Sequence, residues 1–198
     1  ALATAMISCE NESAVEINKN VFYEDVLLNI TSKNDTLDLG KEITPFRSSI
    51  KLKIPIDKNI DSLRLSQTFI GKIVNNKINY LSSKINDSYI TANTSSLGKY
   101  IISRDSILPE IRPLNFSNKS NVRSNKTITL RLKDDKSGIK NYEAYLNGNW
   151  ALFEYEPKEN LIFHDLSDSI IKDGENDLLI EFEDGVGNKQ VFKTKIYY

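Results

Sequence analysis

The segment Ile50-Lys51-Leu52-Lys53-Ile54-Pro55-Ile56 has an apolar residue at every second position. Successive side chains of a β-strand point to opposite faces of the sheet, so this alternation predicts a half-buried strand. Pro55 has no N–H to donate to a neighbouring strand, which places the end of this strand at a sheet edge or a bulge. Thr127–Lys133 alternates in the same way. Both halves of the chain are therefore expected to be built from β-strands.

Short β-type runs separated by turn residues occupy most of the remaining sequence. Turn signals recur roughly every ten residues, which is typical of an all-β sandwich. Asn147-Gly148 predicts a two-residue hairpin, because both residue types tolerate a positive φ angle. The runs that we expect to form further strands are Val26–Ile30, Phe69–Val74, Ile78–Leu81, Tyr100–Ile102, Tyr142–Leu146, Ala151–Tyr155, Leu161–Phe163, Leu178–Phe182 and Val191–Tyr197.

A length of 198 residues suits two domains better than one. We therefore predict an all-β fold of two tandem immunoglobulin-like β-sandwich domains. Pro109 and Pro113 lie close together, and proline holds its neighbourhood extended, which indicates a short stiff connector. The expected divisions are a leader at residues 1–6, an accessory β-sandwich at 7–104, a linker at 105–113 and a C-terminal immunoglobulin-like β-sandwich at 114–198.

Charge and the supply of metal-binding residues limit the function. The chain has 26 basic and 27 acidic residues, a formal net charge of -1, so it lacks the basic signature of a nucleic-acid-binding protein. No apolar run approaches membrane-spanning length, so we expect no transmembrane segment. Cys9 is the only cysteine and His164 the only histidine, which is too few for most zinc enzymes or histidine-based catalysis. We predict that this chain is not an enzyme, with no catalytic residue and no cofactor of its own.

Trp150, the only tryptophan, directly follows the predicted hairpin turn. Alternation places Trp150 and Leu152 on one face of the strand and Ala151 and Phe153 on the other. The preferred interpretation puts Trp150 in the core of the second domain. The alternative is a binding surface for sugars or peptide formed by Tyr142, Trp150 and Tyr155, because aromatic side chains are common at recognition surfaces.

Two aspartate-rich segments, Asp134–Gly138 and Asp184–Asn188, each follow a predicted strand. Aspartate side chains bond nearby backbone N–H groups and glycine permits a positive φ angle, so both segments are interpreted as turns. The alternative is a calcium site, if Asp134, Asp135 and Asp184 converge at one end of the sandwich. Calcium takes six to eight oxygen ligands, and these three carboxylates supply only part of that set.

His164 and Cys9, each the only residue of its type in the chain, are both interpreted as structural residues. His164 alternates with Ile162 and Leu166, which favours a packing role. Met6-Ile7-Ser8-Cys9 resembles a lipobox, in which Cys9 would carry a lipid, although the usual leucine of that motif is missing. A plain strand or linker cysteine is the preferred interpretation of Cys9.

From about residue 96 onward the chain carries a series of motifs in a fixed order: Ser96–Tyr100, Asp105, Pro109–Ile111, Asp134–Ile139, Leu146–Trp150, Glu154–Lys158 and Glu183–Asn188. In order and spacing this series resembles the C-terminal, non-catalytic region of lysostaphin-type (LytM-type) zinc metallopeptidase proteins of Bacteroidetes, flavobacteria especially. The N-terminal half, which Val21–Asp25 opens, is similar to the preceding accessory domain of the same proteins.

The resemblance implies a role for the parent protein that this chain does not carry alone. The family's peptidase domain binds zinc through an H-x-x-x-D motif and a later H-x-H, and this chain has neither. Zinc is therefore expected only in an upstream peptidase domain, which would be this chain's partner in the parent protein. The resemblance implies a bacterial periplasmic or cell-envelope location. It also implies an accessory role, positioning the catalytic domain or contacting peptidoglycan or an envelope protein. The alternative is a freestanding adhesion or carbohydrate-binding lipoprotein.

Overall fold

The computed structural model describes residues 5–41, 44–57, 59–86, 88–167 and 170–198. The chain folds as two compact units, Ala1–Ser106 and Ile107–Tyr198. Almost all regular structure is β-strand, as the alternating patterns predict. Among the described residues, no helix has the length and apolarity needed to cross a membrane.

The first unit contains two five-stranded sheets. Their strand orders are β1-β2-β5-β9-β8 and β3-β4-β10-β6-β7. One short helix, α1 (Ser62–Ser66), is capped by Asp61, whose carboxylate accepts a hydrogen bond from the N–H of Arg64 at 2.9 Å. The strands are β1 (Ala5–Ser8), β2 (Ala14–Ile17), β3 (Thr31–Lys33), β4 (Thr36–Asp38), β5 (Ile50–Pro55), β6 (Thr68–Val74), β7 (Lys77–Leu81), β8 (Ser83–Asn86), β9 (Tyr89–Thr94) and β10 (Lys99–Arg104).

Both sheets of the first unit contribute to one core. In β5 the predicted alternation is confirmed, because Ile50, Leu52 and Ile54 are buried while the intervening lysines are more exposed. The opposite sheet contributes residues such as Leu37 and Tyr100, which are fully buried. The Tyr100 hydroxyl lies 2.8 Å from the Thr94 hydroxyl and donates to the Ser96 carbonyl at 2.5 Å, so its burial leaves its hydroxyl hydrogen-bonded.

The second unit contains a four-stranded sheet, β11-β13-β17-β16, and a five-stranded sheet, β12-β19-β18-β14-β15. Neighbouring strands are antiparallel except β12 and β19, which run parallel. The strands are β11 (Glu110–Pro113), β12 (Ser120–Asn121), β13 (Thr127–Lys133), β14 (Ile139–Leu146), β15 (Asn149–Trp150), β16 (Glu154–Glu156), β17 (Leu161–Asp165), β18 (Glu175–Asp184) and β19 (Lys189–Tyr197).

The core of the second unit lies between its two sheets. Strand β13 buries every second residue, and β18 does the same along its length. Asn176 and Asp184 are the buried polar residues of β18. The Asn176 side chain donates to the carbonyls of Lys172 and Gly174 and accepts from the N–H of Lys172, so it fixes the loop that leads into β18. The opposite face of β18 is polar or partly exposed, and it is the face on which the candidate site lies.

Four predicted segments need correction. Glu110–Pro113 forms β11, an edge strand paired with β13, so it belongs to the second unit and the expected linker at 105–113 is too long. An edge strand tolerates a proline because one side needs no hydrogen-bond donor. Strand β1 begins at Ala5, so residues 5 and 6 belong to the folded unit, and residues 1–4 of the expected leader lie outside the described residues. Val26–Ile30, fully within the described chain, is irregular rather than a strand. The predicted strand Ala151–Tyr155 is not one strand, because residues 151–153 are irregular and connect β15 to β16, which belong to different sheets.

Candidate functional site

The Asn147-Gly148 turn sets the geometry of the candidate site. Asn147 and Gly148 have φ angles of 52° and 77°, the positive values that the two-residue hairpin requires. This turn pairs Leu146 with Asn149 and Tyr145 with Trp150 across β14 and β15. Directly opposite residues of an antiparallel pair lie on the same face, so Tyr145 and Trp150 are neighbours.

Trp150 lies on the outer face of the sheet, and the prediction that it is a core residue is wrong. Its side chain is 59% exposed and Leu152 is 53% exposed, whereas Ala151 and Phe153 are 1% and 3% exposed. Trp150 and Leu152 therefore share one face and Ala151 and Phe153 share the other, as predicted, but the face expected to be buried is the exposed one. The smaller Ala151 and the ring of Phe153 face the core, and the largest side chain of the segment faces solvent.

A row of side chains crosses the outer face of the five-stranded sheet. Tyr145 lies opposite Trp150 on one side and opposite Leu179 of β18 on the other, and Leu179 lies opposite Lys193 of β19. We call Trp150, Tyr145, Leu179 and Lys193 the cross-strand row. Tyr145 and Leu179 are half-buried in it. The row presents two aromatic rings, one aliphatic side chain and one cation on a rigid sheet.

A groove of about 710 Å³ lies along this face. It is open rather than enclosed, and Trp150 stands beside it at the sheet edge, outside its lining. Its lining includes Tyr145, Asp177, Leu179, Glu181, Lys193 and Lys195.

The charged groups around the groove are unevenly paired. Glu143 of β14 lies directly opposite Glu181 of β18, and like charges in that position destabilise a sheet. The Tyr145 hydroxyl donates to Glu143 at 2.6 Å, and this hydrogen bond to a carboxylate raises the pKa of Tyr145 above its usual value. Among the described residues, the side chains of Glu181 and Lys193 form neither a hydrogen bond nor an ion pair. They remain available to a ligand.

The remaining acidic groups of β18 have partners. Glu175 accepts hydrogen bonds from Lys195 and from the Tyr197 hydroxyl, and these lower its pKa. Glu183 lies 2.9 Å from the Lys140 ammonium and its pKa is likewise lowered. Within the described ranges of the chain, Glu143 and Glu181 are thus the carboxylates of this face without a cationic partner.

The two other aromatic residues of the predicted binding surface lie elsewhere. Tyr142 is half-buried against the core and its hydroxyl donates to the Phe153 carbonyl at 2.6 Å. Burial raises the pKa of Tyr142. Tyr155 packs edge-on against Tyr142, with ring centroids 6.1 Å apart. The structure thus joins Tyr142 with Tyr155, and separately Trp150 with Tyr145.

The sequence contained the signal for Tyr145. A two-residue Asn147-Gly148 turn fixes the pairing of the residues that flank it, and counting outward from the turn brings Tyr145 opposite Trp150. Leu179 and Lys193 were not identified, because their places in the row depend on the pairing of β14 with β18, which are far apart in the chain.

The aspartate-rich segments form tight turns. One oxygen of Asp134 accepts hydrogen bonds from three backbone N–H groups of its turn at 2.8–3.0 Å. One oxygen of the fully buried Asp184 does the same at 2.8–3.1 Å. Carboxylate oxygens of these two residues approach within 4.8 Å, but Asp135 is exposed and pairs with Lys133 at 3.2 Å. The structure therefore brings together two of the three residues of the predicted calcium alternative.

His164 and Cys9 have local structural roles. His164 is 2% exposed, its ring stacks on Phe153 with centroids 5.1 Å apart, and its Nδ1 lies 2.7 Å from the Leu152 carbonyl. A carbonyl oxygen only accepts, so Nδ1 carries the proton. Cys9 follows β1 in the turn before β2, where its N–H donates to the Ser13 carbonyl at 2.7 Å. It is half-buried against the core of the first unit.

The match to a protein family concerns the first unit. Residues 5–105, just over half of the chain, match the Zu5-like domain family. None of the curated proteins matches this chain. Among solved structures, Clostridium thermocellum CbhA fibronectin(III)-like modules are similar at 14% identity over 76% of this chain and 85% of that chain, with a TM-score of 0.33. The cross-strand row lies outside the family match.

Proposed function

The chain belongs to the Zu5-like domain family, and from that premise we propose that it is a non-catalytic accessory and binding region of a bacterial cell-envelope protein. Its two units act as tandem immunoglobulin-like β-sandwiches. The observation that carries the binding role is the cross-strand row, where an exposed tryptophan stands beside an open groove with unpaired charged groups. Aromatic residues are enriched at binding surfaces, and here the exposed tryptophan lies opposite a second aromatic residue, Tyr145.

The parent protein in this proposal is a peptidoglycan metallopeptidase of the periplasm or cell envelope. The resemblance of the second half to the non-catalytic region of lysostaphin-type peptidases supports it. In that setting the chain positions an upstream zinc domain and holds it at its substrate by contacting the cell wall or an envelope protein. The reading frame upstream of Ile7 tests this assignment. A domain with the H-x-x-x-D and H-x-H motifs supports it, and an unrelated upstream sequence contradicts it.

The alternative is a freestanding adhesion or carbohydrate-binding lipoprotein, and it requires the first unit to fold with Cys9 as its first residue. A lipoprotein that begins at Cys9 would lack β1, which pairs with β2 over four residues and forms the edge of its sheet. The position of Cys9 after a paired strand therefore favours the accessory region. A lipoprotein signal that ends at Cys9 in the gene would reverse this preference.

Binding is tested by cosedimentation of the chain with purified bacterial cell-wall sacculi and, separately, with envelope membrane fragments. We expect one of the two to carry the chain into the pellet, and Trp150→Ala to remove most of that binding. The matched control is Leu152→Ala, which removes an equally exposed apolar side chain from a neighbouring position outside the cross-strand row. Equal loss in both variants, or no cosedimentation at all, contradicts the proposed binding face.

A further inference from the structure

We propose that the cross-strand row binds a neutral oligosaccharide chain; this deepens the proposed function and rests on it. The row is linear and crosses four adjacent strands, β15, β14, β18 and β19. Strands in a sheet are about 4.8 Å apart, so the row spans roughly 14 Å. That is long enough for several linked sugar rings. The groove is open along the sheet face, so a linear oligosaccharide can lie in it and extend beyond both of its ends, whereas a single sugar would fill only part of it.

The two aromatic residues supply the stacking surface. Trp150 is 59% exposed and stands at the sheet edge beside Tyr145. Sugar rings have an apolar face of C–H groups that packs against an aromatic ring, while their hydroxyl groups point sideways. The backbone of both residues is held by the hairpin, so binding would cost little backbone conformational entropy.

The unpaired charged groups determine the kind of ligand. Lys193 of β19 lies opposite Leu179, and Glu181 lies two residues beyond Leu179 on the same face of β18. The lysine donates hydrogen bonds and the glutamate accepts them. A hydroxyl group both donates and accepts, so a sugar complements both side chains. The groove lining carries Lys119, Lys193 and Lys195 against Asp177 and Glu181, so either a polyanion or a polycation would meet charges of its own sign. This mixed charge favours an uncharged, hydroxyl-rich ligand.

The opposed carboxylates of Glu143 and Glu181 agree with that choice. Like charges directly opposite in a sheet destabilise it. Hydroxyl groups of a bound sugar would donate to both carboxylates and offset part of their repulsion. A neutral glycan thus offers hydroxyl donors to Glu143 and Glu181 and hydroxyl acceptors to Lys193.

Trp150 provides a direct test because it is the chain's only tryptophan. The full chain is titrated with linear oligomers of glucose and of N-acetylglucosamine while tryptophan emission and its quenching by acrylamide are recorded. We expect saturable binding of at least one oligomer, with a shift of the emission and protection from acrylamide. Glu181→Ala and Lys193→Ala, which keep the reporter, should each weaken binding by about tenfold or more. Leu152→Ala should bind like the unaltered chain.

Two outcomes overturn the inference in distinguishable ways. If neither oligomer affects Trp150 while sacculi or membrane fragments still bind through it, the ligand class is wrong and the accessory function stands. If nothing binds, the proposed function fails as well. Binding of a basic peptide instead, or a concentration-dependent dimer that shields Trp150, would assign the face to a protein partner and also overturn the glycan.

Discussion

At the scale of single residues, size alone misleads about burial. Trp150 is the largest side chain in its segment and is exposed, whereas Ala151 next to it is buried. The hairpin decides which of them faces the core, because Trp150 must share a face with its partner Tyr145 rather than with the buried Ala144 and Leu146. Local pairing therefore outweighs hydrophobicity at this position.

This difference predicts contrasting stabilities for two neighbouring variants. Trp150→Ala should lower the free energy of unfolding by less than about 1 kcal/mol, the range of a cross-strand pair on an exposed face. Phe153→Ala should lower it by about 3–5 kcal/mol, because it empties a buried position. Urea denaturation followed by circular dichroism measures both, since Trp150→Ala removes the fluorescent reporter. Comparable losses in the two variants would place Trp150 in the core after all.

At the scale of elements, the hairpin turn links stability to the candidate site. Gly148 has a φ angle of 77° and a side chain added there would contact nothing within 4 Å, so only backbone strain opposes a substitution. Gly148→Ala should cost about 1 kcal/mol and weaken ligand binding, since any distortion shifts Trp150 relative to Tyr145. Gly148→Asn is the control, because asparagine tolerates positive φ. Thermal unfolding and the Trp150 titration would show whether alanine is worse than asparagine in both respects; equal effects would contradict the explanation.

Strand β18 predicts a pH dependence. The pKa values of Glu175 and Glu183 are lowered in the folded state from an ordinary value of 4.5 by hydrogen bonds from cationic and hydroxyl groups. A carboxyl group with a lowered folded pKa stabilises the fold above its unfolded pKa, and that contribution disappears as the pH falls through the folded pKa. Stability should therefore decline as the pH is lowered past 4.5.

The test compares urea midpoints across pH for the unaltered chain, for the double variant Glu175→Gln/Glu183→Gln and for Glu181→Gln. The double variant should show a shallower decline in acid, because two of the titrating groups are gone. Glu181→Gln should keep the steep decline, since its carboxylate has no cationic partner within the described chain. Identical slopes for all three would show that other carboxyl groups control the acid response.

The sequence predicted local elements better than their assembly. Alternation located β5 and β13 almost to the residue, because each strand shows its buried face in its own pattern. Val26–Ile30 has strand-like composition but is irregular, with Leu28 and Ile30 packed against the core, and composition cannot separate these two ways of burying apolar residues. The groove was beyond local reasoning, because Tyr145 and Leu179 meet only through pairing of strands distant in sequence.

At the scale of the whole molecule, the chain combines two β units with a single histidine and a single cysteine. His164 lies in the core of the second unit, and Cys9 lies in a turn of the first. The second unit also carries the exposed row and its groove. In the proposed function, packing and recognition use different faces: the inner faces of the sheets form the core, and the outer face of one sheet carries the binding residues.

The side chains that could bind zinc lead to a prediction about zinc retention and peptidoglycan cleavage. A catalytic zinc site takes three protein ligands and leaves one position open for water. His164 Nδ1 already bonds the Leu152 carbonyl, its ring is buried against Phe153, and the carboxylates of Asp134 and Asp184 already accept backbone amides. We expect dialysed protein to retain no stoichiometric zinc, and peptidoglycan to stay intact with this chain. Retained zinc together with chelator-sensitive cleavage would show that the chain is itself a peptidase. Cleavage that requires added upstream histidines would instead support the accessory role, because the chemistry would then reside in the neighbouring domain.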